Sequence, residues 1–261
     1  MEKVVILAGG FGSRLSEETV LRPKPMVEVG GLPILLHIMR IYSHFGLKEF
    51  HIALGYKGDF VKDYFINYSN RLSDFTVSLK SGEINYLSNS KIEYWKVTLL
   101  DTGSESMTGG RLGRFRKMFA KGDKILCTYG DGLANVNIKK LIDFHNSHGK
   151  IATVTAVRPS ARFGNLIIDD NSEIKEFVEK PQVGEGWING GFFVFNTEIF
   201  NYIDGDGCIL EREPLERLAN EGQLVAYKHD GFWQCMDTVR DRDYLNSLSE
   251  QDILPWMNFI K

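Results

Sequence analysis

The feature that most restricts this chain lies near its start, where the run VVILA stops at GGFGSRL. Residues 4–8 are continuous, apolar and β-branched, without the alternation of a strand that faces water on one side. They read as a strand covered on both faces. Such strands belong to parallel sheets wrapped by helices, so the glycines that follow lie at the C-terminal edge of the sheet, where open α/β folds bind ligands. The loop fits neither of the two common phosphate-binding patterns. No lysine follows Gly12, as G-x-x-x-x-G-K-[ST] requires, and the sixth position counted from Gly10 is Leu15. What it offers is the backbone N–H groups of Gly9, Gly10 and Gly12, with two cations, Arg14 and Lys24. Pro23 and Pro25 restrict the backbone on both sides of Lys24. The pattern points to an anion held at a sheet edge, against a plain turn with solvated charges.

Beyond the loop, helical and strand periods alternate. Pro33 opens ILLHIMRIYSHF, whose spacing predicts a helix closed by Gly46; 50–54 reads as a strand, and Phe60, Val61, Tyr64, Phe65 and Tyr68 line a second helix. Over 74–100 the period falls to two through FTVSL, INYL and YWKVTLL, which predicts an antiparallel ribbon inserted before the next sheet strand. A helix over 108–119, a strand over 124–128, a helix over 138–148 and a strand over 152–157 continue the alternation. NLIID, EIKEFVEK, GGFFVFN and LVAYKH read as strands, with helices over 215–221 and 239–249. The fold class is therefore α/β: a doubly wound, mostly parallel, Rossmann-like sheet with an inserted antiparallel β-ribbon, one domain over 1–261.

A net charge of −3 removes the electrostatic case for nucleic acid as a partner. Cys127, Cys208 and Cys235 form no paired motif and read as reduced thiols. No run of about 18 apolar residues occurs, so no membrane span is expected and a cytoplasmic protein is. His145 and His148 share a helix face without metal-type neighbours and are expected to be solvated.

Three further stretches carry chemistry. In YGDG, Asp131 ends a buried strand between glycines, a place where magnesium is held by carboxylates and substrate phosphates, although a helix-capping role competes. In MDT, Asp237 precedes the closing helix and alone would read as its N-cap; pairing with Asp131 gives it weight. EKP places Glu179 and Lys180 at a strand end, and NGG places Asn189 before an apolar strand.

Taken in order, GGFGSRL with PKPM, YGDG, EKP, NGGFFVF and MDT resemble the sugar-phosphate nucleotidyltransferases over essentially the whole chain. The stretch DTGSESMTGGRLGR is similar to the branch of that family that uses CTP and glucose 1-phosphate, where uridylyl- and thymidylyltransferases carry a different segment. The resemblance implies formation of CDP-glucose and pyrophosphate, a step toward CDP-linked deoxysugars of surface polysaccharide (O-antigen). It implies that Leu7, Ala8, Gly9, Gly10, Phe11, Gly12, Ser13 and Arg14 surround CTP together with Lys24, Thr108, Gly109, Gly110, Arg111 and Gly130. Arg14 and Lys24 then act on the phosphates, Asp131 and Asp237 hold Mg2+, and Arg111 meets the O2 edge of cytosine. Glu179, Lys180, Asn189 and Gly190 take glucose 1-phosphate. A UTP- or dTTP-dependent enzyme is the alternative, and a silent sugar-nucleotide-binding regulator the alternative of another class. Family members are commonly homo-oligomers and those of this branch resemble hexamers, for which the aromatic ribbon supplies a surface.

Overall fold

The computed structural model describes residues 1–87, 92–159, 165–168, 174–178, 186–251 and 253–259. Its seven-stranded sheet contains β1 (Glu2–Leu7), β2 (Glu49–Leu54), β3 (Lys96–Asp101), β4 (Lys124–Tyr129), β5 (Ala152–Val157), β6 (Ile188–Asn196) and β7 (Leu224–His229), in the order β7-β5-β6-β4-β1-β2-β3. Neighbours are parallel except at β6, which runs against both β4 and β5.

β1 is central for the reason its composition suggests. Val4 and Ile6 face one layer and Val5 and Leu7 the other, and all four are buried. The first layer is built by α1 (Ile34–His44), with Val61 of α2 (Gly58–Ile66), Leu141 of α4 (Ile138–His148) and Leu245 of α6 (Val239–Glu250). On the second lie Leu112 of α3 (Thr108–Gly113) and Leu215 and Leu218 of α5 (Glu213–Asn220). Each fully buried aliphatic or aromatic side chain contributes roughly 1.5–3 kcal/mol, so two such layers fix the sheet edge that the loops decorate. Among the described residues no helix is long and apolar enough to cross a membrane.

The inserted ribbon is shorter than the period-two pattern implied. Phe75–Val77 and Ile84–Tyr86 pair as an antiparallel hairpin, but residues 96–101 join the main sheet as its parallel edge strand β3. Trp95 turns inward, its ring 5.5 Å from that of Phe50 and its Nε1 donating to Ser43 Oγ. An edge strand covered unequally on its two faces alternates as a ribbon strand does, so the period does not separate them. His145, expected in solvent, is buried against β5 and β6 with ring nitrogens on Thr153 Oγ1 and Asn196 Oδ1; burial lowers its pKa to about 4 and keeps it neutral. The helix expected over 108–119 is interrupted: α3 ends at Gly113 and a 3-10 turn, Arg116–Met118, follows.

Candidate active site

β1 delivers the glycine loop to the sheet edge, where Ala8 N still donates to Ala53 O at 3.0 Å. Gly12 then takes a left-handed φ of 63°, and a Cβ there would stand 2.8 Å from Thr19 Cγ2. Only glycine turns the chain at this point without strain. The turn carries Ser13 and Arg14 into a short 3-10 helix and packs the loop against Lys24, which opens a second such helix directly after Pro23. Leu7, Ala8, Gly9, Gly10, Phe11, Gly12, Ser13 and Arg14 line one wall of a cleft of about 380 Å³. The others come from Lys24, Pro25, residues 104–108, Arg111, Tyr129, Gly130, Asp131 and Asp237.

At its floor is a compact charge cluster. Lys24 Nζ donates to Asp131 Oδ2 and Asp237 Oδ1, each at 2.6 Å, and Arg14 Nη1 lies 3.0 Å from Asp237 Oδ2. Burial opposes the charge on Lys24, but the two carboxylates outweigh it and hold the ammonium above the ordinary lysine pKa. Burial likewise opposes ionisation of Asp237, and Lys24 and Arg14 nevertheless keep its pKa below the usual carboxylate value.

Residues so far apart in sequence meet because Gly132–Ala134 pairs antiparallel with Trp233–Cys235, and Met236 N donates to Asp131 O at 2.9 Å. Neither aspartate caps a helix. Asn137 caps α4, and Thr238 caps α6 in a capping box with Asp241, which leaves both carboxylates for the cleft. One oxygen each of Asp131 and Asp237 and the sulfur of Cys235 lie within 4.8 Å of one another. Two convergent carboxylates fit a hard divalent cation such as Mg2+. Burial pushes the Cys235 thiol well above its normal pKa, so it stays protonated beside them.

α3 forms the opposite wall through Thr108 and Arg111, and its residues also make contacts within the protein. Arg111 is buried and its guanidinium is spent on the protein. Nη1 donates to Leu54 O, Thr102 Oγ1 and Gly103 O at 3.0, 2.7 and 2.8 Å, and Nη2 to Gly9 O and Ser104 O at 3.0 and 3.2 Å. It ties the glycine loop to the 102–104 loop rather than standing free at a base edge. Gly109 and Gly110 turn away from the cleft: a Cβ on Gly110 would lie 2.4 Å from Asp206 O, and one on Gly109 2.9 Å from Cys208 O. The glycine pair seats the 206–211 segment against α3.

At the end of β4, Asn189 Nδ2 donates to Tyr129 Oη at 3.1 Å, which brings the start of β6 beside the cleft. Gly190 is used by the sheet, since a Cβ would meet Val157 Cγ1 at 2.6 Å, and its carbonyl accepts Trp233 Nε1–H at 2.9 Å. Glu179 and Lys180 lie outside the described residues. Sequence reasoning passed over Tyr129, Cys235 and Glu211. Tyr129 immediately precedes the quoted GDG, and Cys235 stands two residues before Asp237 on an extended segment, so period two alone places both toward one side.

The family model for nucleotidyl transferase matches residues 3–238. The chain belongs to the nucleotidyl transferase family. Among curated relatives of this nucleotidyl transferase, the glucose-1-phosphate cytidylyltransferase of Salmonella typhi is 50% identical over 97% of this chain and 98% of its own length. The enzyme of the same name from Salmonella typhimurium gives the same figures. Among solved structures, HddC from Yersinia pseudotuberculosis superposes with a TM-score of 0.69 at 24% identity, covering 95% of this chain and 99% of that one. At that identity the likeness speaks for the fold.

Proposed function

We propose that this nucleotidyl transferase moves the cytidylyl group of CTP onto glucose 1-phosphate, giving CDP-glucose and pyrophosphate. The observation that carries the reading is the Lys24 ammonium held between Asp131 and Asp237 beside an anion-accepting loop. The similarity to the two Salmonella cytidylyltransferases supports the choice of substrates.

The chemistry explains why the cleft needs no Ser-His-Asp arrangement. A phosphate monoester loses its second proton near pH ~6, so glucose 1-phosphate arrives as a nucleophile and needs no side-chain base. Its oxygen attacks the α-phosphorus of CTP, the bond from that phosphorus to the bridging oxygen breaks, and pyrophosphate departs with the electron pair. The protein aligns the two phosphates and offsets their charge. Arg14 and Lys24 face the triphosphate, with the glycine-loop N–H groups behind it. Asp131 and Asp237 would hold Mg2+, which supplies further neutralisation of the crowded phosphates. Thr108 faces the base, and the family resemblance gives Lys180 the phosphate of glucose 1-phosphate and Glu179 and Asn189 its sugar hydroxyls. The cytoplasmic setting and the use of the product in surface polysaccharide belong to the same proposal.

Pyrophosphate release with glucose 1-phosphate and Mg2+ should be fast with CTP and slow with UTP, dTTP and ATP. A preference for UTP or dTTP would reassign the base, and the absence of release with all four nucleotides would end the reading. We also place self-association at the hairpin, where Phe75, Val77, Ile84 and Tyr86 are each more than a third exposed and Leu79 is 92% exposed. That is more apolar surface than a free hairpin carries without a partner. Light scattering at micromolar concentration should return the mass of a homo-oligomer, a hexamer by family resemblance; a monomer would remove the proposal.

A further inference from the structure

The segment 206–211, seated on the Gly109–Gly110 pair, ends in Glu211, whose carboxylate is held at both oxygens. Oε2 accepts the Thr108 hydroxyl proton at 2.6 Å and Oε1 that of Tyr129 at 2.5 Å. Tyr129 Oη also accepts from Asn189 Nδ2, and Thr108 Oγ1 accepts Leu210 N–H at 2.9 Å. A carboxylate has no proton to give, so both hydroxyls must point theirs at Glu211. Burial, and then the neighbouring Glu211 charge, raise the Tyr129 phenol well above its normal value, which keeps that donor in place. Thr108, half-buried in the cleft wall, is left with one lone pair and no proton for whatever the cleft holds.

We propose that Glu211 is a positioning residue that fixes the Thr108 hydroxyl as an acceptor for the exocyclic amino group of cytosine. This rests on the reading that the cleft binds CTP. Cytosine carries a donor, N4, where uracil and thymine carry the acceptor O4. A wall that can only accept pairs with the first and sets two lone pairs against each other with the second, and an unmatched polar contact in a desolvated site weakens binding of the wrong base. Because Oε1 is anchored through Tyr129 to Asn189, the carboxylate cannot swing round to free the Thr108 proton. The polarity of the base wall is therefore set from the sugar side of the cleft.

Glu211→Gln tests this, since an amide has one accepting oxygen and one donating nitrogen. One hydroxyl must then accept from the amide, and its proton can turn elsewhere. Titration calorimetry with CTP and with UTP on the full-length protein, without sugar phosphate, should show the CTP-over-UTP binding ratio falling at least tenfold. Thr108→Val, nearly isosteric and without the hydroxyl, should lower the ratio comparably and carries the test if the glutamine variant fails to fold. Tyr129→Phe should raise the KM for glucose 1-phosphate severalfold, which a uniform loss of structure would not do selectively. Wild-type ratios in both Glu211→Gln and Thr108→Val, or a wild-type protein that binds the two nucleotides equally, would overturn the proposal. A wild-type protein that prefers CTP in binding yet releases no pyrophosphate would end the proposed reaction and leave this inference standing.

Discussion

Lys24→Ala should lower kcat/KM for pyrophosphate release by roughly 10²-fold, the ~3 kcal/mol typical of losing one preorganised donor at a centre of developing charge. Among the described residues Lys24 is the cation that ion-pairs with both Asp131 and Asp237, and its backbone is confined by Pro23 and Pro25. No neighbour can take its place, because Arg14 already pairs with the far oxygen of Asp237 from a largely exposed position. Lys24→Arg should rescue poorly: a planar fork does not fit the point between two carboxylates that an ammonium occupies at 2.6 Å from each. Steady-state kinetics on a variant whose melting temperature stays near wild type would check this. Turnover within twofold of wild type would show that Lys24 does not stabilise the reacting phosphates.

Asp131→Asn should be as costly for a different reason. It removes one of two anionic oxygens at the cation position while leaving Lys24 paired to Asp237, so the cleft keeps its shape and loses its affinity for a divalent ion. Metal-assisted charge stabilisation is worth several kcal/mol, so kcat should drop by ~10²-fold or more, with the Mg2+ concentration needed for half activity moving upward. Binding of Mn2+ followed by its paramagnetic resonance signal checks the ligand role independently of turnover. Unchanged Mn2+ affinity would take Asp131 out of the metal site. Asp237→Asn should be worse still, since it weakens the hold on Arg14 as well as one of the two ion pairs of Lys24.

Much of the architecture was legible because it is local. The buried run at 4–8, the helix over 138–148 and the strands at 152–157 and 224–229 each declare themselves through a period that their own residues carry. The cleft was legible where a strand end delivers it: the loop from Leu7 to Arg14, Lys24, Asp131 and Asp237 do converge. What the sequence hid depends on pairs of segments. Nothing near Arg111 announces that its guanidinium will be consumed by carbonyls at 9, 54, 103 and 104, and nothing near Glu211 announces a hydroxyl on either side. The Gly109–Gly110 pair looked like a binding loop and is a seat for a distant backbone, because a missing Cβ serves a ligand and a packed chain equally well. The ribbon was overextended to 100 since alternation reports unequal burial of two faces, not the direction of the neighbour.

The reversed direction of β6 gives the cleft two kinds of border. β1 and β4 bring the glycine loop and Gly130–Asp131 to the cleft from their C-terminal ends, whereas β6 meets the same edge with its first residues, Ile188 and Asn189. Asn189 therefore meets Tyr129, at the end of β4, from a strand that runs the other way. The cleft is thus bordered by strand ends on one side and by a strand start on the other, and the change runs along the line between β4 and β6.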